Sequence, residues 1–170
     1  MCGIAGVFSG NATINPLIIK DMTDVIHYRG PNDFGHLGYN SETKQQYFYK
    51  EPNDINNNYN LFLGHRRLSI IDLTEGAKQP MSFLDGRYWI VYNGEIYNYI
   101  EVRKELIRQG FSFTTNSDTE VILSAYHFWG ADCLRLFNGM WAFAILDSQK
   151  NSLFIARDRL GIKPLYYAVR

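Results

Sequence analysis

A chemistry can be built around Cys2. Methionine followed by a small residue is what an aminopeptidase removes, and loss of Met1 leaves Cys2 with a free α-amino group beside its own thiol. Nucleophile and base then share one residue. An α-amine titrates near ~8 and a free thiol near ~8.5, so the amine can carry off the thiol's proton at neutral pH. With Met1 attached, the Cys2 nitrogen is an amide and cannot accept that proton. Taken alone, Cys2 is equally a small apolar residue opening a buried strand. Cys133, on an apolar helical stretch, reads as an inert core thiol. His27, His36, His65 and His127 show no ligand spacing, and the two cysteines make neither a metal pattern nor a disulfide framework, so no metal is expected.

The elements that must position Cys2 can be read in chain order. Residues 2–8 are an apolar run containing Gly3 and Gly6, read as a buried strand that something approaches closely. Pro16 opens an amphipathic helix with Ile18, Met22 and Val25 on one face, which stops before the turn at Arg29-Gly30-Pro31-Asn32-Asp33. Short strands are predicted over 34–39 and 45–50, followed by an asparagine-rich loop over 52–60. A strand over 61–72 runs into a loop ending at Gln79-Pro80-Met81. The β-forming residues 87–92 make another strand, expected to break at Asn93-Gly94-Glu95. Asn98 with Glu101, and Ser117 with Glu120, have the spacing of helix caps, and Gly110 and Gly130 stop the two helices they begin. Residues 140–146 are almost continuously apolar, as in a strand covered on both faces, and a turn leads into 153–156 as a hairpin. Residues 165–169 alternate like a further strand.

Composition narrows the function. At 170 residues with 46% hydrophobic and 15% aromatic content, the chain can bury a core within one domain. Seventeen basic residues balance seventeen acidic ones, with no basic stripe, so neither nucleic acid nor a membrane surface is suggested and a small ligand is expected. There is no signal-peptide pattern and no apolar run of membrane-spanning length, and a cytoplasmic protein is expected. No repeat or linker divides the chain; strands at both ends with helices between suggest sheets covered by helices.

Many blocks together carry a resemblance: Met1-Cys2-Gly3-Ile4-Ala5-Gly6, Arg29-Gly30-Pro31, Gly64-His65-Arg66-Arg67-Leu68-Ser69-Ile70-Ile71-Asp72, Gln79-Pro80-Met81, Tyr92-Asn93-Gly94-Glu95-Ile96-Tyr97-Asn98, Ser117-Asp118-Thr119-Glu120, Phe137-Asn138-Gly139-Met140, and the run from Ala156-Arg157-Asp158 through Lys163-Pro164-Leu165-Tyr166-Tyr167. In this order the chain resembles the glutaminase domain of class II glutamine amidotransferases, which are N-terminal nucleophile hydrolases. Within that class it is similar to the amino-terminal domain of glutamine-hydrolysing asparagine synthetase. Asn32 departs from the pattern, standing where the family usually has a second acid.

The resemblance implies an α+β fold, a four-layer αββα sandwich, with residues 1–170 forming a glutaminase domain that lacks its C-terminal end; a turn and a further strand are expected to follow. It implies that Cys2 attacks the side-chain amide of L-glutamine to form a thioester. Asn93 and Gly94 match the oxyanion hole, and Arg67 matches the residue holding the substrate's α-carboxylate. Asp118 pairs with the α-ammonium, Glu95 lies in the same pocket, and Ile70 contributes through its backbone. Seen singly, Asn93-Gly94 is also an ordinary turn pair, and Asp118 an ordinary acid in the first turn of a helix. Ammonia would pass to an acceptor activated by ATP and Mg in a synthetase domain absent from these residues, aspartate being the acceptor if asparagine is the product; the glutaminase half itself needs no cofactor. A related amidotransferase with another acceptor, or a glutamine-binding module without turnover, are the alternatives.

Overall fold

In the computed structural model, which describes residues 2–10, 12–52, 58–68 and 78–169, the apolar runs become two antiparallel four-stranded sheets. The first half of the chain makes one: β1 (Gly3–Phe8), β2 (Asp33–Tyr39), β3 (Gln46–Tyr49) and β4 (Leu61–Arg67), in spatial order β1-β4-β2-β3. The second half makes the other from β5 (Met81–Phe83), β6 (Tyr88–Ile96), β7 (Gly139–Asp147) and β8 (Ser152–Arg157), in the order β5-β6-β7-β8. Helix α1 (Leu17–Val25) packs on β1 and β4, while α2 (Tyr99–Arg108) and α3 (Asp118–Trp129) cover the second sheet.

Side chains alternate across each strand, so each sheet contributes to two cores. Ile19 of α1 meets Phe62 and Tyr49 on the outer face of the first sheet. Leu37, Leu61 and Leu63 meet Val91, Ala144 and Leu146 between the sheets. Ile90, Tyr92, Phe143 and Ile145 meet Val121, Ile122, Ala125 and Leu106 beneath the second pair of helices. Three cores separate four layers, which is the expected αββα sandwich. Along β4 the alternation puts Leu61, Leu63, His65 and Arg67 on the face toward the second sheet, and Phe62, Gly64 and Arg66 toward α1. Along β6 it puts Trp89, Val91, Asn93 and Glu95 toward the first sheet.

Several local expectations are corrected. Helix α1 buries Ile19 and Thr23, while Ile18, Met22 and Val25 face outward. The cause lies in the sheet beneath: a Cβ on Gly64 would stand 2.5 Å from Thr23 Cγ2, and one on Gly3 would stand 2.8 Å from Ile26 Cδ1, so the helix settles onto the two glycines through its narrower face. Gly64→Ala is therefore expected to destabilise the fold by about 1–3 kcal/mol through overpacking against β-branched Thr23, read as a lower urea midpoint at constant m. Strand β6 does not break at 93–95 but runs through to Ile96. Asn98 makes no capping bond; its side chain donates to Leu136 O and accepts from Asn138 N, both at 2.9 Å, which ties the start of α2 to the entry of β7. Ser117 does cap α3, accepting from Thr119 N at 3.0 Å, but Glu120 turns instead to Thr114 and Thr115, accepting from both backbone amides and both hydroxyls. Cys133 is buried in a 3₁₀ turn (Gly130–Arg135), where burial pushes its thiol up to about 12.

Residues 165–169 form no strand. The Asp158 carboxylate accepts from the backbone amides of Trp141, Leu160, Ile162 and Lys163, and Gly161 takes φ +65°, so the chain after β8 winds around that carboxylate. The outer edge of β8 carries no ladder partner among the described residues.

Candidate active site

Cys2 precedes β1 and lies on the inward face shared by Ile4. Its sulfur stands at the end of β4: Leu68 N–H donates to Sγ at 3.4 Å, and Leu68 O lies 3.7 Å from the same sulfur. Arg29 Nε donates to the Cys2 carbonyl at 3.1 Å. The turn that carries Arg29 can lie against β4 because a Cβ at Gly30 would come within 2.3 Å of Arg66 O. Burial pushes the Cys2 thiol up; the Leu68 amide and the Arg67 cation oppose that rise, and the Asp118 carboxylate adds to it. Arg67 and Asp118 thus act on this sulfur from opposite sides of the charge balance, although they are far apart in sequence.

Arg67, the last residue of β4, is buried, and its carbonyl accepts from Asn32 N at 3.0 Å. Asn32, the departure from the family pattern, therefore holds this end of β4 through its main chain. Asn93 is buried on the face of β6 that looks toward the first sheet. Gly94 beside it has no room for a side chain, since a Cβ would lie 2.4 Å from Met140 O. Glycine is needed here for close approach of β7, with the backbone in extended form.

Asp118 opens α3, and its position is set by β6: Oδ2 accepts from the Tyr92 hydroxyl at 2.7 Å and from Ile96 N at 3.1 Å. Burial pushes its carboxyl up, the Tyr92 and Ile96 bonds oppose this, and the Glu95 carboxylate adds to it. Glu95 itself is exposed at the mouth of the same region. Cys2, Arg67 and Asp118 are therefore brought within electrostatic reach of one another, and Asp118 is tied to the last stretch of β6, which carries Asn93, Gly94 and Glu95. Ile70 lies outside the described residues.

Four residues that received no role from sequence belong to this framework: Arg29, His65, Gln79 and Tyr92. Gln79 Oε1 accepts from Tyr92 N at 2.7 Å, and His65 Nε2 lies 3.0 Å from Tyr92 O. All four fall within the recurring blocks, yet nothing in a local pattern says that they converge. Among the described residues no three His, Cys, Asp or Glu side chains gather as metal ligands, and no helix is long and apolar enough to cross a membrane.

Comparison with known proteins gives the family and the fold. Residues 51–170 match the glutamine amidotransferase domain family. The chain is 42% identical over 171 residues to asparagine synthetase [glutamine-hydrolyzing] 1 of Bacillus subtilis, covering 98% of this chain and 24% of that protein. It is 40% identical over 181 residues to putative asparagine synthetase [glutamine-hydrolyzing] 2 of Methanocaldococcus jannaschii, covering 98% and 32%. The chain thus spans about a quarter to a third of the length of these relatives. In fold it is similar to the glutamine phosphoribosylpyrophosphate amidotransferase of B. subtilis, with a TM-score of 0.74 at 20% identity over 95% of this chain and 38% of that one. With the two sheets, their covering helices and Cys2 at the cleft already in place, these matches make the chain a class II glutamine amidotransferase domain with the N-terminal nucleophile hydrolase fold.

Proposed function

We propose that this domain hydrolyses the side-chain amide of glutamine to glutamate and ammonia in the cytoplasm. The ammonia then passes to an ATP-activated acceptor in a synthetase portion of the protein, and the names of the relatives favour aspartate as that acceptor. The observation that carries the reading is that the Cys2 sulfur lies within electrostatic reach of Arg67 and of Asp118, the latter tied to the strand that carries Asn93 and Gly94.

Each group has a task suited to its chemistry. Arg67 offers a planar guanidinium to the substrate's α-carboxylate, and Asp118, held by Tyr92 and Ile96, offers a carboxylate to its α-ammonium. The Cys2 amine takes the thiol proton as Sγ adds to the amide carbon. The negative charge moves to the amide oxygen, which receives hydrogen bonds from the Asn93 side chain and the Gly94 N–H. The proton passes to the leaving nitrogen, ammonia departs and a thioester remains. Water, deprotonated by the same amine, attacks the thioester and releases glutamate and the thiol. The sequence holds no phosphate-cradling loop, so ATP and Mg belong to the synthetase portion.

Glutamate release from glutamine by protein processed to begin at Cys2, with Cys2→Ala as control, tests the reading. Binding of glutamine without glutamate release would replace it with the binding module. The rate is also expected to fall as pH drops below about 7, where the protonated amine can no longer accept a proton. The sign follows from both groups: acid removes the base, and it keeps protonated a thiol that burial has already pushed up. A pH–rate profile of kcat/KM checks it.

A further inference from the structure

We propose that His65 is a positioning residue of the oxyanion hole, holding the main chain of Tyr92, the residue just before Asn93 and Gly94, where no strand among the described residues lies alongside to hold it. The inference rests on the glutaminase reading.

Ser148 N donates to Arg87 O and Tyr97 N donates to Asn138 O, both at 2.8 Å, in the register that pairs Asn93 with Ala142 and Gly94 with Trp141. The odd-numbered residues of β6 therefore turn their amides and carbonyls to β7. Those of Tyr92, Gly94 and Ile96 turn the other way. On that other side β5 pairs with Tyr88, Trp89 and Ile90 only. Pro80, without an N–H, precedes β5, and the ladder goes no further.

Side chains take over from there. Gln79 Oε1 accepts from Tyr92 N at 2.7 Å, His65 Nε2 donates to Tyr92 O at 3.0 Å, and Asp118 Oδ2 accepts from Ile96 N at 3.1 Å. The Gly94 N–H lies on the same side, between these fixed points, and its direction follows theirs. His65 is fully buried, on a strand paired on both sides by β1 and β2. It is also two residues from Arg67 on the same face of β4. One bond thus joins the strand that carries the carboxylate-binding arginine to the strand that carries the oxyanion donors, across the cleft in which glutamine would lie.

The chemistry of His65 suits a tie and not a base. A carbonyl can only accept, so Nε2 carries the proton; Nδ1 is left bare and has no partner among the described residues. Burial pushes the ring down to about 4; the Tyr92 carbonyl and Asp33 oppose that, and Arg67 adds to it, so the imidazole stays neutral at working pH. Of its two ring nitrogens, only the one that touches Tyr92 has a partner among the described residues.

The test uses the chain processed to begin at Cys2. His65→Leu keeps bulk without a donor, and His65→Gln restores an N–H of similar reach. His65→Leu should lower kcat for glutamine by about tenfold or more, as for a buried carbonyl left without its donor, with KM changed less than about threefold. His65→Gln should recover most of the loss. Unchanged kcat in His65→Leu, a change confined to KM, or no recovery in His65→Gln would overturn the proposal. An inactive wild-type protein would instead sink the glutaminase reading. In that case amide exchange at Gly94 still reads the tie: faster in His65→Leu and restored in His65→Gln supports it, and equal rates in all three overturn it. Should His65→Leu not fold, Gln79→Leu releases the N–H of the same Tyr92 and is expected to lower kcat at steady KM, whereas wild-type kcat there overturns the proposal.

Discussion

Protein that retains Met1 is expected to release no glutamate from glutamine, while the same chain beginning at Cys2 turns over. A single nitrogen must accept and return the proton. In the processed protein the Cys2 nitrogen is an amine of pKa near ~8, able to take a proton from the thiol and later from water. An amide nitrogen can do neither. Burial has pushed the Cys2 thiol up, so without a base little thiolate forms at neutral pH. The four imidazoles are engaged elsewhere: His65 with Tyr92 O, His36 with Thr23 Oγ1 and Lys50 O, His27 with Asp24 O and His127 with the Tyr88 hydroxyl. Intact-mass spectrometry reports the N-terminus and a parallel ammonia assay reports turnover. Full activity with Met1 attached would leave the amine without a role.

Asn93→Ala and Arg67→Ala are expected to separate turnover from binding. Loss of the Asn93 donor should lower kcat by about 10²–10³-fold with KM little changed, since an oxyanion exists only once the thiolate has added. Loss of Arg67 should raise KM by about two orders of magnitude, because the substrate carboxylate then loses a buried partner in ground and transition states alike. Steady-state kinetics on the two variants decide it; the opposite pattern would exchange the two roles. Both residues are buried beside the cleft, so each assay is read next to a melting curve.

How much of this was legible in sequence depended on the range of the interaction. The runs at 2–8, 34–39, 61–72 and 140–146 announced their strands because burial on one or both faces leaves a local pattern, although β4 ends at Arg67 and residues 69–72 lie outside the described residues. The α1 face was misread because the choice between Ile18 and Ile19 is made by Gly3 and Gly64, which belong to the sheet. The expected break at Gly94 was wrong for a similar reason, since that glycine answers to β7 and to no turn. Asn98 had the right type and place for a cap, yet Leu136 and Asn138 claim its side chain. The candidate site residues could be named because they sit in recurring blocks. The bonds of Gln79, His65 and Asp118 to β6 could not, since each spans at least 13 residues and joins β6 to a different element.

The division of the strands has a consequence for how such a site comes into being. All four strands of the first sheet lie within residues 3–67, and all four of the second within 81–157, so the chain crosses from sheet to sheet once. Neither half borrows a strand from the other. Cys2 and Arg67 belong to the earlier half, and Asn93, Gly94 and Asp118 to the later one. The candidate site then exists only where the two sheets pack against each other, so it depends on that shared core more than on the ladder of either sheet alone.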